Sequence, residues 1–286
     1  MRDDLMMLTK FRLSSLVLMT TFAGYLAGCN LRPDWGLALH TMLGTAFCAF
    51  GASVFNQLME IDADRRMKRT MNRPLPAERL PAGLAFAIGC VISALGVLHL
   101  ARMVRPENPQ AAYMAGLTLL VYVLVYTPMK RRSSLNTVVG AVAGAIPPVI
   151  GWLAAGRAYD TGAVVLFGIL FFWQLPHFVA INWMYREEYE NAGFVMWSNK
   201  DASGKLSAWL CVVFSLGLVL VCAWPSFVGL ARPGHAVASL VSGAWLVWLS
   251  LRFTRELERA AARRVFLFTL LFLPIILVSL LVFWIR

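Results

Sequence analysis

Apolar residues run along this chain in continuous blocks of 16 to 22, separated by polar joints, rather than in short alternating segments. Nine blocks are visible: Leu13–Cys29, Leu37–Asn56, Leu84–Ala101, Ala111–Tyr126, Thr137–Ala155, Gly162–Trp183, Leu206–Trp224, Ala236–Leu251 and Val265–Trp284. A helix rising about 1.5 Å per residue crosses a bilayer core in roughly 20 residues, and it satisfies its backbone hydrogen bonds within the segment. Barrel strands would instead be shorter and alternate in polarity. The pattern therefore predicts an all-α fold, a polytopic membrane protein with nine transmembrane helices in one bundle and a single domain over residues 1–286.

Composition agrees with that pattern, since 59% of the residues are hydrophobic and 14% charged in a chain of 286. The formal net charge of +11 would suit nucleic acid, but the placement of the bases points elsewhere. Of the 26 Lys and Arg, 20 fall in the N-terminal segment and the joints after the second, fourth, sixth and eighth blocks. That asymmetry predicts a cytoplasmic N-terminus, a C-terminus outside, and no nucleic-acid partner. The implied place is an integral position in the lipid bilayer of a prokaryotic cytoplasmic membrane. The tetrapeptide LAGC at Leu26–Cys29 looks like a lipoprotein cleavage box, yet eight further blocks favour a first helix that stays uncleaved. Five scattered cysteines without CxxC spacing exclude a zinc site and a disulfide framework. The two longest joints, after the second and sixth blocks, are four helices apart, and no sequence self-similarity accompanies them.

The joint after the second block concentrates unusual chemistry. It reads NQLMEIDADRRMKRTMNRPLP from Asn56 to Pro76, with three carboxylates and five bases. On a continuing helix Asn56, Glu60 and Asp64 share one stripe at i, i+4 and i+8, and Asp62 points away. Glu60 and Asp64 are thus the expected ligands of a hard cation such as Mg2+, which takes oxygen ligands and bridges carboxylates to phosphates. Arg65, Arg66, Lys68, Arg69 and Arg73 stand beside them as phosphate-binding bases. A solvated loop of mutually paired charges is the bland alternative, but the regular acid spacing at a block's end favours a diphosphate site with Asn56, Glu60, Asp64, Lys68 and Arg69 carrying the chemistry.

Two further polar clusters fall on the same predicted side. The sixth block ends WQLPHFVAINWMYREEYENAGF, which offers Gln174, His177, Asn182, Arg186, Glu187 and Glu188 for substrate, with Tyr189 close by. The stretch YTPMKRRSSLN adds Tyr126, Lys130 and Arg131, with Arg132 adjacent. A lone histidine in an apolar helix is commonly structural, and the carbonyl freed by Pro176 offers His177 a partner. His40, His99 and His235 receive no role. A transporter would carry charges deep within several spans, whereas here they gather at one face.

The Asn56–Pro76 motif resembles the first diphosphate motif of the UbiA-type intramembrane prenyltransferases, with Glu60 where Asp is usual. LTKFR at Leu8–Arg12, YTPMKRRSSLNTVVGAVAGAIPPVIGW, WQLPHF and YREEYENAGF are similar to the haem-farnesylating branch, the haem O synthases. The resemblance runs over nearly the whole chain. Phe11 departs from a common Pro, and the second motif lacks the paired aspartates of quinone-forming relatives. The resemblance implies farnesyl diphosphate as donor, Mg2+ as cofactor and haem b (protohaem IX) as acceptor, its vinyl group being farnesylated to haem O for haem-copper oxidases. It also implies a downstream haem-modifying or oxidase-assembly protein as a partner. An aromatic, quinone-precursor acceptor is the alternative, because acid and base spacing alone cannot separate a vinyl group from a ring.

Overall fold

The computed structural model describes residues 2–285, so Arg286, expected on the outer side, lies outside the described residues. Among the described residues nine long helices make up the bundle: α1 (Phe11–Gly28), α2 (Trp35–Met59), α3 (Ala82–Met103), α4 (Gln110–Met129), α5 (Asn136–Ala154), α6 (Thr161–Met184), α7 (Lys205–Phe227), α8 (Pro233–Glu256) and α9 (Arg259–Val282). Eight of them, α2 to α9, are long and apolar enough to cross a membrane. The ninth, α1, has 18 residues and carries Arg12, Ser14, Ser15, Thr20 and Thr21, which dilute its hydropathy. It is nevertheless packed into the same bundle, against the second half of α5.

Small residues set how closely these helices approach. Without a hydrophobic driving force between helices in lipid, packing itself and interhelical hydrogen bonds must hold them, and glycine lets backbones touch. A Cβ at Gly24 of α1 would collide with the Pro148 carbonyl of α5, and one at Gly151 of α5 would collide with the Thr21 carbonyl of α1. Across the bundle, Ser215 of α7 and Ser250 of α8 bond at 3.2 Å where both are buried.

Helices α4 and α5 deviate from the regular ladder, α4 near the end of the bundle where it joins α5, and α5 at its middle. In α4 the turn widens to a π-helix over Val121–Tyr126, and the Thr127 N–H reaches back to the Tyr122 carbonyl. Pro128 follows, unable to donate, and the Thr127 hydroxyl donates to that same carbonyl at 2.8 Å. This widening sets Tyr122 and Tyr126 side by side, ring centroids 5.1 Å apart. In α5, Pro147 and Pro148 divide the helix into Asn136–Ala145 and Pro147–Ala154.

At the opposite end, arginines that run against the charge asymmetry have a local use. Arg105 donates to the Ala154 and Ala155 carbonyls at the end of α5, and Arg157 donates to the Gly28 carbonyl at the end of α1. Each satisfies last-turn acceptors and complements a helix C-terminus.

Candidate active site

The N-terminal segment and the joints between α2 and α3, α4 and α5, and α6 and α7 converge at one end of the bundle, around a cavity of about 880 Å³. A small apolar cluster of Ala63, Met67, Ala192, Phe194 and Met196 fastens the first of these joints to the loop after α6. The Val195 N–H also donates to the Lys130 carbonyl at 2.7 Å, which ties in the middle joint.

Helix α2 ends at Met59, and the chain turns at Glu60 before the short helix Ile61–Arg66. The expected uninterrupted stripe is therefore broken, yet the Asp64 N–H still bonds to the Glu60 carbonyl at 2.7 Å. Both carboxylates are buried and line the cavity, and Asp62 is exposed. Glu60 pairs with Lys130 and Asp64 with Arg73, each at 2.7 Å. Burial pushes the Glu60 carboxyl upward, but Lys130 and Lys10 outweigh it and hold the group below its usual range. Lys130 behaves in mirror image, with burial opposed and overcome by Glu60 so that its ammonium is held above its usual range.

Lys10, just before α1, is a site residue that sequence reasoning did not single out. Its ammonium donates to Asn56 Oδ1 and lines the cavity. Burial, with Arg73 and Lys130 nearby, lowers its pKa to about 7 despite Glu60 and Asp64. A lysine ahead of an apolar block is fully accounted for by topology, so only the lateral contact reveals it. Asn56 itself does not line the cavity: it is buried, and its amide donates to Thr127 Oγ1 at 3.2 Å, joining α1, α2 and α4.

Deeper in, the lining includes Tyr122, Tyr126, His177 and Phe178. His177 Nδ1 lies 2.9 Å from Thr269 Oγ1, rather than on the carbonyl freed by Pro176. The Thr269 hydroxyl donates to the Phe266 carbonyl at 2.6 Å, so its oxygen accepts from His177. The hydrogen bonds thereby place a proton on Nδ1 and leave Nε2 without a hydrogen-bond partner among the described residues. Trp173 stacks on the imidazole with centroids 5.2 Å apart, and Phe266 lies at 4.7 Å.

The other expected residues divide. Arg69, Arg73, Tyr126, Lys130 and Asn182 join the cavity, with Arg69 donating to the Tyr189 hydroxyl at 3.1 Å. Lys68 and Arg131 are exposed and do not line it, nor does Arg132. Arg65 also turns away, toward Glu78 at 2.7 Å and the Pro76 carbonyl, because neighbouring Met67 points inward to the apolar cluster. Gln174 is a departure from expectation: its amide bonds to the Ala141 and Leu170 carbonyls and serves helix packing. Arg186, Glu187 and Glu188 line a separate cleft of about 410 Å³.

The donor set fits a cation such as Mg2+. Asp64 Oδ1 is buried with no hydrogen-bond partner, and Glu60 presents its carboxylate to the same space. Among the described residues no group of three or more His, Cys, Asp or Glu forms a complete protein cage. Mg2+ does not require one, since it keeps several waters and takes one or two carboxylates together with substrate phosphates. Chemically, the arrangement can hold an anionic head between bases and acids while its apolar remainder lies among aromatic side chains.

The pattern of the UbiA prenyltransferase family matches residues 17–275. The chain is 40% identical over 284 residues to the protoheme IX farnesyltransferase of Opitutus terrae, covering 98% of this chain and 94% of that one. Among solved structures, a digeranylgeranylglyceryl phosphate synthase superposes with a TM-score of 0.81 at 16% identity, over 98% of this chain and 97% of that one. A UbiA homolog from Archaeoglobus fulgidus, bound to GPP and Mg2+, has a TM-score of 0.65 at 15% identity, over 97% and 99% of the two chains.

Proposed function

The chain belongs to the UbiA prenyltransferase family, and from that premise we propose that it transfers the farnesyl group of farnesyl diphosphate to a vinyl group of protohaem IX, giving haem O. Identity of 40% to a protoheme IX farnesyltransferase over nearly the whole chain carries the choice of substrates. The cavity supports the class of reaction, because it sets two acid–base pairs and Lys10 above an aromatic interior.

Glu60 and Asp64 would hold Mg2+, which when bound supplies Lewis-acid neutralisation of the diphosphate oxygens. Lys10, Arg69, Arg73 and Lys130 line the same space and stabilise negative charge as the allylic C–O bond breaks and its electron pair departs with diphosphate. Tyr122, Tyr126 and Phe178 line the space for the farnesyl cation, stabilise it with their aromatic rings and keep water from it. The vinyl terminal carbon bonds to farnesyl C1, which moves the cation to the carbon beside the porphyrin. Water adds there, and its proton passes to diphosphate or solvent. His177, whose Nδ1–H is held by Thr269, lines this region and offers Nε2 as a base or iron ligand. The head-group end lies on the cytoplasmic side of a prokaryotic inner membrane, and the product passes to a haem-modifying or oxidase-assembly protein.

The test offers haem b and 4-hydroxybenzoate together to purified protein with labelled farnesyl diphosphate and Mg2+. Label appearing in haem O supports the reading. Label appearing only in the benzoate replaces it with quinone-precursor synthesis.

A further inference from the structure

Beside the main cavity, the cleft of about 410 Å³ is lined by Trp183, Tyr185, Arg186, Glu187, Glu188 and Arg259 among others. Arg259 has no counterpart in the site described above. Its guanidinium lies 5.2 Å from the centre of the Tyr185 ring, and it makes no ion pair or hydrogen bond among the described residues. Arg186 is almost as available: one nitrogen donates to the Trp183 carbonyl at 3.3 Å, and the other lies 3.6 Å from Glu187. Glu187 is 83% exposed, so that pair is weak. Glu188 sits within the field of Arg69 on the other side. Two arginines and two glutamates would make the cleft neutral by count, but the free donors belong to the arginines.

The cleft adjoins the main cavity across Tyr185. Tyr185 is flanked by Arg259 and, 5.4 Å from its ring centre, by Arg69, which lines the main cavity. Helices α6 and α9 also meet at two levels: Tyr185 with Arg259 at the joint end, and His177 with Thr269 and Phe266 further in. Eight residues separate His177 from Tyr185, an axial rise of about 12 Å, and seven separate Arg259 from Phe266, about 10 Å. One seam therefore carries an imidazole and aromatic faces at its inner level, and paired guanidinium groups where it opens to water.

We propose that Arg186 and Arg259 bind the two propionate carboxylates of the porphyrin acceptor, an inference that rests on protohaem IX being that acceptor. A haem is a flat apolar macrocycle whose charges lie along one edge, so an amphipathic seam that ends in two guanidinium groups orients it. Guanidinium forks suit carboxylates better than point charges do. With its acid edge held at the joint end, the vinyl edge is carried inward toward the farnesyl C1. The same contact distinguishes haem from an acceptor with a single carboxylate.

Visible-spectrum titration of the full-length protein in detergent tests this with iron protoporphyrin IX and its dimethyl ester. The wild type should bind the diacid roughly a hundredfold more tightly than the ester, about tenfold for each charge-assisted contact. In the Arg186→Gln, Arg259→Gln double variant that preference should fall below about threefold, with ester affinity and melting temperature retained. A folded double variant that keeps the full preference overturns the proposal, as does a wild type that binds both porphyrins equally. Equal weakening of diacid and ester also overturns it, since the arginines then act on structure. If the wild type binds neither porphyrin and farnesylates neither, the haem acceptor itself falls, and this site with it.

Discussion

Glu60 holds two roles that a substitution can separate. It lines the cavity as a carboxylate and neutralises Lys130 at 2.7 Å, with side chains only 6% and 13% exposed. Glu60→Gln should lower turnover by at least about a hundredfold through lost transition-state charge stabilisation. It should also cost stability, about 3 kcal/mol, because a buried ammonium is left without its partner. A wet site would have tolerated the change, and the enclosed pair does not. Adding Lys130→Met should restore the melting temperature but not the turnover. Recovery of both would remove Glu60 from the chemistry. Lys10 supplies a second test at this scale. With its pKa lowered from 10.5 to about 7, the metal- and substrate-free folded protein binds fewer protons than the unfolded chain between those values. Stability should therefore rise with pH from about 7 toward 10. Melting temperatures in detergent should show that rise in the wild type, and a flatter profile in Lys10→Met.

At the scale of elements, α1 reaches the site only because it lies directly against α5. Its glycine Gly24 faces Pro148, and Gly151 of α5 faces Thr21 in return, backbone against backbone. Neither position can give way as a flexible side chain would. Gly24→Val should separate the helices, destabilise by about 1–3 kcal/mol, and weaken farnesyl diphosphate binding by displacing Lys10. Gly83 has open space around it, so Gly83→Ala should leave binding and melting unchanged. Equal behaviour of the two variants would show that α1 is free to shift. The π-turn of α4 works similarly, since it turns both Tyr122 and Tyr126 toward the cavity from one face.

For the whole molecule, charge asymmetry and architecture meet at one end. The N-terminal segment and joints that carry 20 of the 26 basic residues include those that enclose the cavity. A reporter fused after Arg73 or Lys200 should accordingly lie in the cytoplasm, and one fused at Arg286 should lie outside. Both reporters on one side would mean an even number of crossings between them, so that one of the seven helices α3 to α9 does not cross.

Much of this was legible in the sequence for a physical reason: membrane helices form locally. Block length in a bilayer dictates a helix, and the placement of Lys and Arg orients it, without reference to any partner. The acids at Glu60 and Asp64 were readable from their local spacing, because the Asp64 N–H still bonds to the Glu60 carbonyl although the helix breaks there. The sequence could not say which bases turn inward. Lys68 and Arg131 look as suitable as Arg73 and Lys130, and only the burial of Met67 and the docking of Val195 on Lys130 decide between them. Nor could it separate Gln174 from Asn182, two buried amides on one helix, of which the first is consumed by backbone carbonyls. Lys10 and Arg259, at opposite ends of the chain, become site residues only through packing, because contact between distant helices is a property of tertiary structure alone.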